Sequence, residues 1–143
     1  MAEALSIFKK YFRASLLAVP EVQACVSDRV FNIYVPDKAV MPYAVFQIVP
    51  LQDIVGQGRQ SSGKNFLVNL KFLTGLPVPD TIYPAIENAE IYFRMAPAIF
   101  YEDYSISIRH DRPIEYPEPG ATPGEKLLNL GSTYRVWMTG LPT

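Results

Sequence analysis

The chain has 143 residues and a mass of 16.1 kDa, so residues 1–143 are read as a single domain. Hydrophobic residues make up 49%, which excludes wholesale disorder. The formal net charge of −1 lacks the basic surplus that a nucleic-acid-binding domain uses to neutralise phosphates.

Residues 3–18 have the spacing of an amphipathic helix. Leu5, Phe8, Phe12 and Leu16 recur at three- and four-residue steps, with Tyr11 and Leu17 widening the stripe and Lys9, Lys10 and Arg13 opposite. Cations inside the apolar pattern do not make a signal peptide, and no apolar run approaches the length of a membrane span. Pro20 suits the first turn of a second short helix over 20–26. Residues 29–34 are read as a short strand and Asp37-Lys38 as a turn. Residues 42–55 read as strand, with a bulge, bend or edge position at Pro50.

The segment 56–64 has no apolar side chain and reads as a positively tipped loop. Residues 65–74 alternate Phe66, Val68, Leu70 and Phe72 against Asn69 and Lys71, so 42–55 and 65–74 form a long β-hairpin. Asp80 or Thr81 can cap a helix running to about Met95, with Ile82, Ile86, Ala89 and Phe93 inward. Residues 104–110 alternate as a half-buried strand. Residues 113–124 hold four prolines and two glycines and read as an irregular loop; residues 131–139 read as a last strand. The expected fold class is α+β: two helices packed on one face of a mainly antiparallel sheet, with a long protruding β-hairpin.

Catalytic patterns are weak. Gly56-Gln57-Gly58 lacks the third glycine and the following helix of a dinucleotide site. His110-Asp111 beside Ser105 or Ser107 invites a triad, but neighbours on a strand point to opposite faces. Glu102 and Asp103 sit side by side in a turn. Cys25, between Ala24 and Val26, reads as a small buried hydrophobe. One cysteine and one histidine allow neither an internal disulfide nor a thiolate–imidazole metal site, and suit a reducing compartment. No catalytic, cofactor or metal residue is expected. The 13% aromatic content, with Tyr34, Tyr43, Tyr101 and Tyr116 at loops or strand ends, points instead to contacts.

Two phrases carry a family likeness. Val26-Ser27-Asp28-Arg29-Val30-Phe31 follows the helix pair that ends in Pro20-Glu21-Val22, and Met41-Pro42-Tyr43-Ala44-Val45-Phe46-Gln47 opens the hairpin. Over about residues 3–110 this order resembles the phage tail completion, or tail terminator, family. The resemblance implies an α+β protomer of a homo-oligomeric, hexameric ring in the virion. That ring caps the head-proximal end of the tail tube, stops its growth and joins it to the head connector or stopper protein. Genomic DNA would pass through the lumen without specific binding, and neither membrane nor cofactor is involved. A neutral-to-acidic bore is then expected, with Glu102, Asp103, Glu115 and Glu118 as acidic loop residues. Alternatives are another head–tail connector or neck protein, a small-ligand-binding domain, or an enzyme.

For such a ring, the loops 56–64 and 113–124 are the candidate contact elements. The first offers Gln57, Arg59, Gln60, Ser61, Ser62 and Lys64, whose backbone can pair with a partner's edge strand. The second offers Tyr116 as an anchor, with Pro117 and Pro119 stiffening it.

Overall fold

The computed structural model describes residues 2–51, 54–55, 61–95 and 99–140. Helix α1 spans Ala2–Ala18 and buries Ala4, Ile7, Phe8, Tyr11, Phe12, Ser15 and Leu16, the steps of one helical face. Lys10 and Arg13 stay exposed. Helix α2, Pro20–Val26, starts on Pro20 at its first turn and ends where Ser27 takes a φ of 55°. Strand β1 is Val30–Asn32 and β2 is Tyr43–Pro50. Pro50 closes β2 at an edge, since β1 pairs β2 only over residues 44–46.

Strand β3, Ile54–Val55, precedes β4, Ser61–Gly75. Helix α3, Ile82–Met95, begins where the Thr81 carbonyl accepts the Ala85 N–H at 3.2 Å; it buries Ile82, Ala85, Ala89 and Phe93. Strands β5 (Ile99–Tyr101), β6 (Tyr104–Pro119) and β7 (Lys126–Gly140) complete the chain.

The sheet runs β1-β2-β4-β7-β6-β5, with β3 paired to β4. The β1–β2 pair is parallel and every other pairing is antiparallel. The two longer helices lie on one face. Phe8 meets Phe66 of β4 at 4.9 Å between ring centroids, Phe12 meets Phe46 of β2 at 5.1 Å, and Phe93 meets Tyr134 of β7 at 5.3 Å. The fold is α+β, as expected, and the β2–β4 hairpin is present with Phe46 opposite Leu70.

Several boundaries differ from the sequence reading: the last strand starts at Lys126 rather than at residue 131, and β5 is a strand that reading does not contain. Residues 61–64, expected in the hairpin loop, belong to β4, where Lys64 lies opposite Met138 of β7. Residues 113–119, expected as irregular loop, are strand: they extend β6 against β7 from Pro113↔Ser132 to Pro119↔Lys126. The prolines are tolerated because Pro113, Pro117 and Pro119 share one parity on a strand that β5 covers only at residues 104–106. Alternate N–H groups of an edge strand point away from its partner, so proline there costs no ladder hydrogen bond. The true turn is short and polar: Gly120 N–H donates to the Glu125 carbonyl at 2.9 Å, and Thr122 N–H to Glu125 Oε2 at 3.2 Å.

Candidate functional site

The two phrases singled out in the sequence meet in space. Val30, Phe31 and Asn32 pair with Ala44, Val45 and Phe46. Arg29 Nε donates to the Pro42 carbonyl at 3.1 Å, while Ala44 N–H donates to the Arg29 carbonyl at 2.9 Å. Arg13 of α1 reaches the same corner, donating from Nε to the Val30 carbonyl and from Nη2 to the Asp28 carbonyl, both at 3.2 Å. Arginine suits this work because its fixed fork satisfies several carbonyls without deprotonating. These residues lock helix to sheet. Just beyond them Ile33, Tyr34, Val40 and Met41 are exposed, an apolar rim on the β1 edge.

The sheet face away from the helices is open. A bulge sets its composition on β6: the register passes from His110↔Tyr134 to Arg112↔Thr133, leaving Asp111 without an opposite residue. Before the bulge Ile106 and Ile108 face the helices; after it Arg112, Ile114 and Tyr116 lie on the open side with Arg109. A shallow cleft of about 530 Å³ lies there, its lining including Leu67, Asn69, Lys71, Arg112, Tyr116 and Thr133. Thr133 Oγ1 donates to Asn69 Oδ1 at 2.8 Å, and Lys71 Nζ to Tyr116 Oη at 2.9 Å. The Cζ atoms of Arg109 and Arg135 lie 5.8 and 6.0 Å from the Trp137 ring centroid.

A second cleft, about 440 Å³, is lined by Glu90, Arg94, Ser107, Ile108, Arg109 and His110. His110 Nε2 lies 3.2 Å from Ser132 Oγ and Nδ1 lies 3.9 Å from Glu90 Oε1. The order Ser–His–carboxylate matches a nucleophile, its base and an orienter. Ser132 is 2% exposed, so the hydroxyl is shut off from a substrate carbonyl. Tyr134 packs edge-on against His110 at 5.7 Å. Burial first and the Glu90 carboxylate second hold its phenol above the ordinary range, offset in part by Ser132. Burial likewise raises the Cys25 thiol, which leaves it a poor nucleophile at neutral pH. Among the described residues, no three His, Cys, Asp or Glu side chains gather as a metal site would require, and no helix is long and apolar enough to cross a membrane.

The expected contact residues fall in different places. Gln57, Arg59 and Gln60 lie outside the described residues. Ser61, Ser62 and Lys64 belong to β4 rather than to a loop tip. Tyr116, Pro117 and Pro119 are exposed on β6, not on a loop, and Tyr116 is tied to Lys71. Glu115 and Glu118 are strand residues too, Glu118 accepting from Asn129 Nδ2 at 2.9 Å. Glu102 and Asp103 do form an exposed turn. Asp111 pairs with Arg112 at 3.1 Å and not with His110. The sequence reading did not bring Glu90 and Ser132 to His110, or Arg135 and Trp137 to Arg109, because strand register alone joins them.

No family model matches the chain, and no curated protein matches it. Nine chains of solved structures do. One of them, whose name states no activity, superposes with a TM-score of 0.57 at 12% identity, over 98% of this chain and 96% of its own. At that identity the likeness is one of fold.

Proposed function

We propose that the chain is a structural protein of a phage tail: a terminator that assembles into a ring in the virion, caps the head-proximal end of the tail tube and joins it to the head connector. The observation that carries this reading is the corner built by Asp28-Arg29-Val30 and Pro42-Tyr43-Ala44-Val45-Phe46-Gln47. The phrases that carry the family likeness form one hydrogen-bonded unit, in the element order the likeness implies. The role is non-catalytic and needs no cofactor. A ring closes through a heterologous interface repeated about an axis, and this sheet offers dissimilar surfaces for one: an apolar β1 rim and a cationic open face. Because DNA must slide through the bore, a wall that binds it by counterion release would obstruct ejection. The cationic face therefore belongs at protein contacts.

The test is sedimentation and negative-stain microscopy of the purified protein, alone and with tube protein. Rings of about six copies, or tubes stopped at a fixed length, are expected. A monomer at every concentration that leaves tube growth unchanged overturns the reading. The Glu90–Arg94–His110 cleft favours a second reading, a small-ligand-binding domain. It predicts a monomer whose melting temperature rises with a polar ligand and no longer does so in Arg94→Ala.

A further inference from the structure

The open sheet face holds two arginines, Arg109 and Arg135, that pair with no carboxylate among the described residues, beside an Arg112 that Asp111 neutralises. Arg109 and Arg135 lie directly opposite each other across β6 and β7, and Arg112 follows in the next row of that face. Like charges in opposed positions of an antiparallel pair destabilise it. Both guanidiniums lie over Trp137, with Cζ 5.8 and 6.0 Å from the ring centroid. Among the described residues, no carboxylate lies within ion-pair distance of Arg109 or Arg135. Two like charges held together beside one ring and left without a carboxylate are arranged for an anion from outside.

The matching anion is on the same chain. The β5–β6 hairpin turns through Glu102 and Asp103, both exposed, between the paired residues Tyr101 and Tyr104. Glu102 has a φ of 52°, a conformation that favours glycine or asparagine and is strained for glutamate. The turn cannot reach the arginines of its own chain, since Arg109 lies about 17 Å up the strand from Tyr104.

We infer that copies of this chain associate head to tail, the Glu102–Asp103 turn of one seating on Arg109, Arg135 and Trp137 of the next. The two surfaces differ, so the contact is heterologous and propagates until it closes; its closure into a ring rests on the terminator reading. Carboxylates fit better than nucleic acid. A net charge of −1 gives no long-range pull on DNA.

The experiment compares self-association of four full-length chains by sedimentation. Glu102→Gln/Asp103→Asn changes only an exposed turn and should weaken assembly by about tenfold or more. Arg109→Glu/Arg135→Glu and Glu102→Arg/Asp103→Arg should each be monomeric, with circular dichroism checking their fold. Mixed in equal amounts, these two should regain assembly as alternating copies, because each supplies the surface the other inverted. Unchanged assembly of the neutralised turn overturns the contact and leaves the ring reading standing. So does a mixture that stays monomeric while both variants keep the wild-type spectrum. A wild type that never associates, with or without tube protein, overturns both. If the arginine variant instead loses binding to a random-sequence DNA duplex and self-associates normally, the face serves nucleic acid and the inference fails.

Discussion

The two faces of the sheet are built from the same strands, one residue out of phase. Toward the helices stand Phe46, Phe66, Val68, Leu70, Phe72, Val136 and Met138, at most 1% exposed. On the opposite face stand Gln47 and Val49 of β2, Asn69 and Lys71 of β4, and Thr133, Arg135 and Trp137 of β7. The covered face is decided by apolar burial, at roughly 25 cal/mol per Å². Nothing comparable constrains the open face, so its departures from generic polarity report on what the molecule touches. A like-charged pair set beside a tryptophan is such a departure; a buried phenylalanine is not.

The largest expected effect tests the covered face. Phe12 is fully buried, stacks on Phe93 at 5.0 Å and on Phe8 at 5.3 Å, and packs against Phe46. Phe12→Ala should cost about 3–5 kcal/mol in urea denaturation, from lost transfer energy and the cavity left behind. Val49→Ala, on the open face at 36% exposure, should cost about 0.5 kcal/mol or less. Equal losses would break the contrast between the faces.

Gly131 sharpens that contrast, because it is a packed point in the middle of the open side. A Cβ there would fall onto the Leu70 carbonyl oxygen of β4, a backbone atom that cannot swing aside. Gly131→Ala should cost about 1–3 kcal/mol, read as a lower urea midpoint at unchanged slope. A neutral result would mean that β4 and β7 separate more easily than their register implies.

The covered face was also the legible one. The stripe of Phe8, Phe12 and Leu16 and the alternation of Phe66, Val68, Leu70 and Phe72 are periodic signals that burial imposes directly. β6 shows where such reading stops. Its prolines argue against a strand in general, and only the register reveals that Pro113, Pro117 and Pro119 share a parity on an open edge. The site residues were hidden for the same reason. Ser132 sits 22 positions from His110, and Arg135 comes to Arg109 only through a pairing that composition does not encode. Asp28-Arg29-Val30 and Pro42–Gln47 were visible as phrases, whereas their union needed three dimensions.

A smaller effect comes from the titration of Tyr134 at the covered face. Its phenol is held above the ordinary value of 10.0, chiefly by burial. Below pH 10 folded and unfolded chains both carry the proton, and the full stabilisation is present. Above it the unfolded chain loses the proton first, so stability falls by up to about 1.4 kcal/mol per pH unit from this group. Tyr11, Tyr43 and Cys25 are raised too and add to the same alkaline loss. Tyr134→Phe should therefore be less steeply destabilised than wild type between pH 10 and 11 in urea titrations. Parallel slopes would show that Tyr134 ionises at its ordinary value in the folded chain.

The smallest effect belongs to the open face and has the opposite sign. Arg109→Gln removes one member of the pair opposed to Arg135, relieving a repulsion of a few tenths of a kcal/mol. It also gives up the Arg109 contact with Trp137 at 5.8 Å, about 0.5 kcal/mol at an exposed site, while Arg135 keeps its own. The two nearly cancel, so the folded monomer should change by no more than about 0.5 kcal/mol, with a slight gain at low salt. Salt separates the terms. At 0.5 M the repulsion is screened well within the ~10 Å range it has at 0.1 M, while the stacking contact loses less, so the variant should shift from marginally more stable to marginally less stable than wild type. Thermal melts of both chains at the two salt concentrations measure that crossing. A variant less stable at both, by the same amount, would mean that the arginines do not repel in the folded chain. The case for an external anion would then lose the imbalance it starts from.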